Sequence, residues 1–234
     1  MASDSGIRAQ FAVLSLIGLF GFCAMVWSLT GETSPKAMAL GGVIYGIVSV
    51  IAGKALTRSY PYNRVGWCNA VTVFRLMLTA ALISWLWATP ISVWVVFLVA
   101  LLALALDGLD GWLARHEGYV SAFGARFDME VDSLLALVLA MHAYLTGTAG
   151  LYVLLLGVPR YVFFALHIPM PWLAGDLPPR FSRKLVCVLQ ISVLILAVFP
   201  PASPLFVTPA VIFTILAVMW SFWIDVRYLR RTFA

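Results

Sequence analysis

Four long runs of this chain carry no charged residue: 9 to 31, 76 to 106, 133 to 159 and 185 to 224. A membrane-spanning α-helix needs roughly 20 consecutive apolar residues, so each run has room for at least one crossing. The last has room for two, and "PPASP" at 200 to 204 divides it, because proline cannot continue a hydrogen-bonded helix. Hydrophobic residues make up 63% of the 234 and the mean hydropathy is +1.00, whereas a soluble domain is about half apolar. The chain therefore reads as an all-α integral membrane protein.

Breaks of this kind place eight helices, at about 10 to 30, 37 to 55, 67 to 88, 91 to 115, 121 to 145, 148 to 168, 184 to 199 and 206 to 228. The first hydrophobic stretch follows one basic residue, Arg8, and has no clear small-residue cleavage site, so a retained helix is expected. No long linker, low-complexity stretch or repeat interrupts the chain. "TRSYPYNRVG" at 57 to 66 is the main compositional shift. Its tyrosines beside Arg58 and Arg64 suit a segment lying along the membrane interface, and equally an ordinary polar loop.

Basic residues set the orientation. With both termini on one side, that side receives Arg8; Lys54, Arg58 and Arg64; Arg115 and Arg126; Arg180, Arg183 and Lys184; and Arg227, Arg230 and Arg231, leaving Lys36 opposite. The expected location is a multi-pass protein of a bacterial inner membrane, with termini and charged segments cytoplasmic. The formal net charge of +5 then reflects this bias and anionic headgroups rather than nucleic acid, since no basic run is interleaved with stacking aromatics. Cys23, Cys68 and Cys187 lie in predicted spans without a CxxC pair, and His116, His142 and His167 lack metal-ligand spacing.

Charge instead gathers in "DGLDGWLARHEGYVSAFGARFDMEVD", residues 107 to 132. Positions i, i+3, i+4 and i+7 share a helix face, so Asp107, Asp110, Gly111 and Ala114 form one stripe at the end of the fourth span. Gly124, Asp128 and Asp132 form a second near the start of the fifth. A short connection makes the two helices antiparallel neighbours, so the stripes can face each other and place four aspartates around one cavity; Glu130 should point away. Four such carboxylates raise one another's pKa and resist dehydration. A divalent cation removes that difficulty, and all-oxygen ligands favour Mg2+ or Mn2+. Gly111 and Ala114 leave room for a bulky group against the helix, or simply permit tight helix packing. One span earlier, "NAVTVFR" sets Asn69, Thr72 and Arg75 on one face, and Arg75 needs an acid, a phosphate or water as partner.

On these residues the chain resembles the CDP-alcohol phosphotransferases, also called CDP-alcohol phosphatidyltransferases. Their signature, D-x2-D-G-x2-A-R-x8-G-x3-D-x3-D, is filled by Asp107, Asp110, Gly111, Ala114, Arg115, Gly124, Asp128 and Asp132, with "HEGYVSAF" as spacer. "NAVTVFR" is similar to the family's N-x-x-T-x-x-R segment. The resemblance covers roughly residues 59 to 234 as a six-helix core, with the two helices of residues 1 to 58 as an addition. It implies transfer of a substituted phosphate from a CDP-linked donor, commonly CDP-diacylglycerol, to a small hydroxyl acceptor with release of CMP. It also implies Asp107, Asp110 and Asp128 as ligands of Mg2+ or Mn2+. Asp132 becomes the general base, and a ligand should a second metal bind. Gly111, Ala114, Arg115 and Gly124, with Ser121, Asn69 and Thr72, are the implied CDP contacts. Arg75, Arg126, Arg160, Arg180, Arg183 and Lys184 are candidates for contacts to acceptor or phosphate. A homodimer is implied as well.

Two features set the chain apart from branches with phosphorylated polyol acceptors. Ser133 stands where those branches often have Lys or Arg, and "RKLVCVLQ" keeps Lys184 and Gln190 but has Val186 and Cys187 in place of a second lysine and a threonine. "FDMEVDS" resembles the aminoalcohol branch, in which a CDP-amino alcohol donates to diacylglycerol. A transporter with an intramembrane acidic ion site would spread its acids across several depths, whereas these cluster at one end. A catalytically silent scaffold would have lost a motif aspartate, and none is lost.

Overall fold

The structure, a computed structural model, describes residues 2–30, 35–87, 91–175, 177–178 and 180–233. Every regular element among them is helical: α1 (Ala2–Thr30), α2 (Pro35–Ser59), α3 (Gly66–Trp85), α4 (Val93–Glu117), α5 (Ala122–Leu145), α6 (Leu154–Gly157), α7 (Pro159–Leu166), α8 (Phe181–Val198) and α9 (Pro204–Phe233). Short 3-10 turns occupy Leu151–Val153 and Pro171–Ala174. The expected end of the third span, residue 88, lies outside the described residues.

Six of these helices, α1, α2, α3, α4, α8 and α9, are long and apolar enough to cross a membrane. α5 matches them in length, but Arg126, Asp128, Glu130 and Asp132 break the apolar character of its first half. The helix expected over 148 to 168 is corrected: the chain forms a 3-10 turn, then α6, and starts again as α7 at Pro159. Proline has no N–H for the carbonyl four residues back, and its ring crowds that carbonyl. Gln190 of α8 donates to the Leu156 carbonyl beside the break.

The chain forms two compact units, residues 1–134 and 135–234, divided within α5. In the first unit α3 is central, with α1, α2 and α4 packed on it. Fifteen of its twenty residues are buried, among them the polar Asn69, Thr72, Arg75, Thr79 and Ser84, so its polar positions are enclosed along with its apolar ones. Small residues let α1 and α2 approach it. A Cβ added to Gly41 would lie 2.6 Å from the Ala80 carbonyl oxygen, and one on Gly21 2.9 Å from Met77 Sδ. Lipid tails are as apolar as leucine, so helices in a membrane gain little from hiding apolar surface and depend on such close packing. In the second unit Gly157 plays the same part, its virtual Cβ falling 2.7 Å from Leu137 Cα on the later half of α5. There too the Tyr152 and Thr208 hydroxyls pair at 3.0 Å, joining the 3-10 turn to α9.

One turn positions the charged ends. Gly118 adopts the left-handed conformation at φ 72°, and both its N–H and that of Tyr119 close on the Ala114 carbonyl. This ends α4 without the penalty a Cβ would bring. Ser121 then caps α5, its Oγ accepting from Gly124 N–H at 3.0 Å.

Replacing Gly41 by alanine forces a side chain against the α3 backbone and is expected to cost about 1–3 kcal/mol. Thermal unfolding of the purified protein measures this. Gly46→Ala, whose Cβ would meet no atom within 4 Å, should stay within about 0.5 kcal/mol of the parent.

Candidate active site

Arg75 is the most enclosed charged side chain among the described residues, with no accessible surface. It sits on α3, and α4 and α5 bring four carboxylates to it. Its Nη1 donates to Asp110 Oδ2 at 2.9 Å and to Asp128 Oδ1, its Nη2 donates to Asp132 Oδ1 and lies 3.0 Å from Asp107 Oδ1, and its Nε donates to the Ala103 carbonyl at 3.2 Å. A guanidinium has five N–H groups, and these five contacts occupy its whole periphery. The two stripes read from the sequence thus meet, and Arg75 joins them.

The charge does not balance. With all four aspartates ionised, one guanidinium leaves three negative charges uncompensated in a partly dehydrated site, which is costly. Arg75 engages a single oxygen of each carboxylate. Exposure grades outward: the Asp110 and Asp132 side chains are 6% and 13% accessible, those of Asp107 and Asp128 24% and 36%. Asp107, Asp110 and Asp128 each offer an oxygen within 4.8 Å of the others'. An all-carboxylate set of this kind fits a hard divalent cation, Mg2+ or Mn2+. Asp132 lies outside that trio, held by Arg75 on the same face. Glu130 is exposed on another face of α5.

The Thr72 hydroxyl lies 3.1 Å from both the Cys68 carbonyl and Asp110 Oδ2. Asn69 is buried and donates to the Val65 carbonyl and to Tyr60 Oη. Both side chains therefore brace the site from beneath. Asn69 Oδ1 and Ser121 Oγ are the atoms a Cβ on Gly124 would meet, at 3.4 and 3.2 Å, so three residues far apart in the chain converge at the start of α5. On α4, the Arg115 guanidinium folds back over Gly111, 3.5 Å from where a Cβ would stand. Ala114 is half-buried and Arg126 exposed.

Of the segment 57 to 66, residues 57–59 end α2 and Gly66 opens α3, leaving residues 60–65 as the short connection. Tyr60 Oη lies 3.0 and 2.9 Å from the carbonyls of Arg64 and Val65, which share its one proton, and Tyr62 Oη donates to the Val120 carbonyl between α4 and α5. Their rings stack edge to face with each other, with Tyr119 and with Phe123. Burial, then the neighbouring Cys68 and Tyr119, push the Tyr60 phenol well above its ordinary range, keeping it a donor. Glu117 accepts from Trp67 N–H at 3.1 Å, placing a carboxylate on the first turn of α3, where backbone N–H groups lack partners.

The family model described as CDP-alcohol phosphatidyltransferase matches residues 67–223, more than half of the chain. The chain belongs to this family. No curated protein and no solved structure matches it. Membership makes this CDP-alcohol phosphatidyltransferase relative a membrane-embedded transferase of phospholipid biosynthesis, acting on a CDP-alcohol and a hydroxyl acceptor. The family's general dependence on a divalent metal accords with the carboxylate trio.

The remaining basic candidates lie in the second unit. Arg183 donates Nε and Nη2 to the two oxygens of Asp225 at 3.0 and 3.1 Å, and Arg180 approaches Asp225 at 3.3 Å while donating to Ser221. Lys184 is exposed and Arg160 half-buried. Sequence reasoning missed Asp225, the buried acid on α9 that gathers both arginines. The signal was present, since a lone acid closing the charge-free run 185 to 224 needs a cation. Glu117 was missed too, because its partner is a backbone N–H that no motif records.

Removing Arg75 leaves four facing carboxylates without their cation. Arg75→Met is expected to lose about 3–5 kcal/mol in chelator, the usual cost of breaking a buried ion pair. Part of that loss should return on adding Mg2+ or Mn2+. Thermal unfolding with and without metal reads both effects.

Proposed function

We propose that this enzyme transfers a phosphatidyl group from CDP-diacylglycerol to a small hydroxyl compound at the cytoplasmic face of a bacterial inner membrane, releasing CMP. The observation that carries the reading is the convergence of Asp107, Asp110, Asp128 and Asp132 on one buried arginine. The basic segments flanking this end of the helices support the orientation.

In this reading Asp107, Asp110 and Asp128 hold Mg2+ or Mn2+, which when bound supplies charge neutralisation at the diphosphate and makes CMP a better leaving group. Gly111 and Arg115 receive the CDP part, the missing side chain giving a flat surface beside the guanidinium. Gly124 widens the mouth opposite, and Ser121, Asn69 and Thr72 support its walls. Asp132 takes the proton of the acceptor hydroxyl as its oxygen bonds to phosphorus and the phosphorus–oxygen bond to CMP breaks. Arg75 fixes Asp132 for that task and keeps the aspartates from repelling one another apart. Residues 59 to 234, with helices α3 to α9, form the catalytic core, and α1 and α2 are an addition to it.

The test is CMP release by purified protein with CDP-diacylglycerol and Mg2+ or Mn2+, across serine, glycerol 3-phosphate, inositol 1-phosphate, choline and no acceptor. Release that requires metal and one acceptor is expected. Asp132→Asn should lower it about 10²–10⁴-fold, the span typical of general-base removal. No release by folded protein under any of these conditions would sink the CDP-diacylglycerol reading. CMP formed from a CDP-amino alcohol and diacylglycerol would then establish the reversed donor.

A further inference from the structure

A groove of about 540 Å³ runs between α1 and α2, within the range of small-molecule sites. Its walls come from Phe11, Ser15 and Leu19 on α1 and from Tyr45, Ser49 and Gly53 on α2, and Arg8, near the start of α1, and Lys54, near the close of α2, also line it. Neither basic residue forms an ion pair among the described residues, and both are exposed. On the rims Leu16 and Val50 are more than half exposed, at 54% and 58%. In a membrane the groove therefore opens sideways to lipid.

Its dimensions match one leaflet. From Arg8 to Leu19 the helix rises about 16 Å at 1.5 Å per residue, and half of a hydrocarbon core is about 15 Å. Polar atoms inside it are poorly served: Ser15 Oγ is buried with no partner, and the Ser49 hydroxyl, on a residue 9% exposed, faces the Tyr45 phenol without a well-formed hydrogen bond. Tyr45 Oη itself is spent on the Ser15 carbonyl. Gly46 and Gly53 hollow the α2 wall; a Cβ on Gly46 would meet nothing within 4 Å.

We propose that the α1–α2 groove holds an anionic membrane phospholipid, its phosphate between Arg8 and Lys54 and one acyl chain along Phe11, Leu16, Leu19 and Val50. Two cations with no acidic partner among the described residues select negative charge over a zwitterion at the headgroup end, and the apolar floor takes the chain. The site is separate from the carboxylate cluster but adjoins its scaffold. The Phe11 ring lies 6.2 and 6.1 Å from those of Phe123 and Phe127 on α5, the latter next to Asp128. An occupant would thus back the wall on which α5 rests.

The experiment is native mass spectrometry of the detergent-purified full chain titrated with phosphatidylglycerol or phosphatidylcholine of the same acyl length. Wild type is expected to retain phosphatidylglycerol preferentially. The double variant Arg8→Gln/Lys54→Gln should bind it about thirtyfold more weakly, each basic side chain near anionic lipid being worth roughly fivefold. Gly46→Leu, which fills the groove, should lose both lipids while keeping the wild-type unfolding temperature. Unchanged phosphatidylglycerol retention in both variants would overturn the proposal. So would a dimer in the wild type that Gly46→Leu abolishes with lipid retention unaltered, since the occupant would then be a second copy of the chain.

Discussion

A buried arginine facing four aspartates is the constraint around which the first unit is arranged. Inside a membrane protein neither side of that interaction is tolerable alone: an uncompensated guanidinium or a cluster of carboxylates far from water costs several kcal/mol. Together they fix the rotation of α3, α4 and α5, because any turn of one helix about its axis would strand a charge. Helices of nearly uniform apolar surface have few other means of choosing an angle, and the polar contact provides one.

The arrangement also explains why small residues cluster where they do. Gly111 and Gly124 sit on the helices that carry the carboxylates, and a Cβ would meet the Arg115 guanidinium at the first and Ser121 Oγ and Asn69 Oδ1 at the second. Gly118 serves a different end, folding α4 back into α5 within residues 118–121 so that two stripes of opposite chain direction come face to face. The aromatic turn of Tyr60 and Tyr62 then ties α3 to that connection. Charge placement and helix packing are thus served by adjacent positions in the same few turns.

Much of this was legible before any coordinates. The aspartate spacing of three and four identifies the faces, the charge-free runs place the helices, and the depth of Arg75 in an apolar span demands a partner. Less legible was that Arg75 touches all four acids, since periodicity orders residues around one helix without giving the distance to another. The break before Pro159 was hidden because a run without charge reads alike whether one helix or two cross it. Glu117 and Asp225 escaped for a common reason: each matters through a partner on a distant helix, and a lone acid carries no pattern. Ser121 reads as a ligand contact from its place in the motif, and the cap its hydroxyl forms on α5 is a further feature that the motif does not record.

The order in which the chain is made gives Arg75 one more consequence. Its partners on α4 and α5 follow it by 35 residues at Asp110 and 57 at Asp132, so α3 leaves the ribosome carrying a charge with nothing to neutralise it. Such a helix is a poor candidate for release into lipid by itself. Insertion must hold it in a watery or proteinaceous shelter until α4 and the start of α5 arrive, which makes these three helices a single unit of membrane integration.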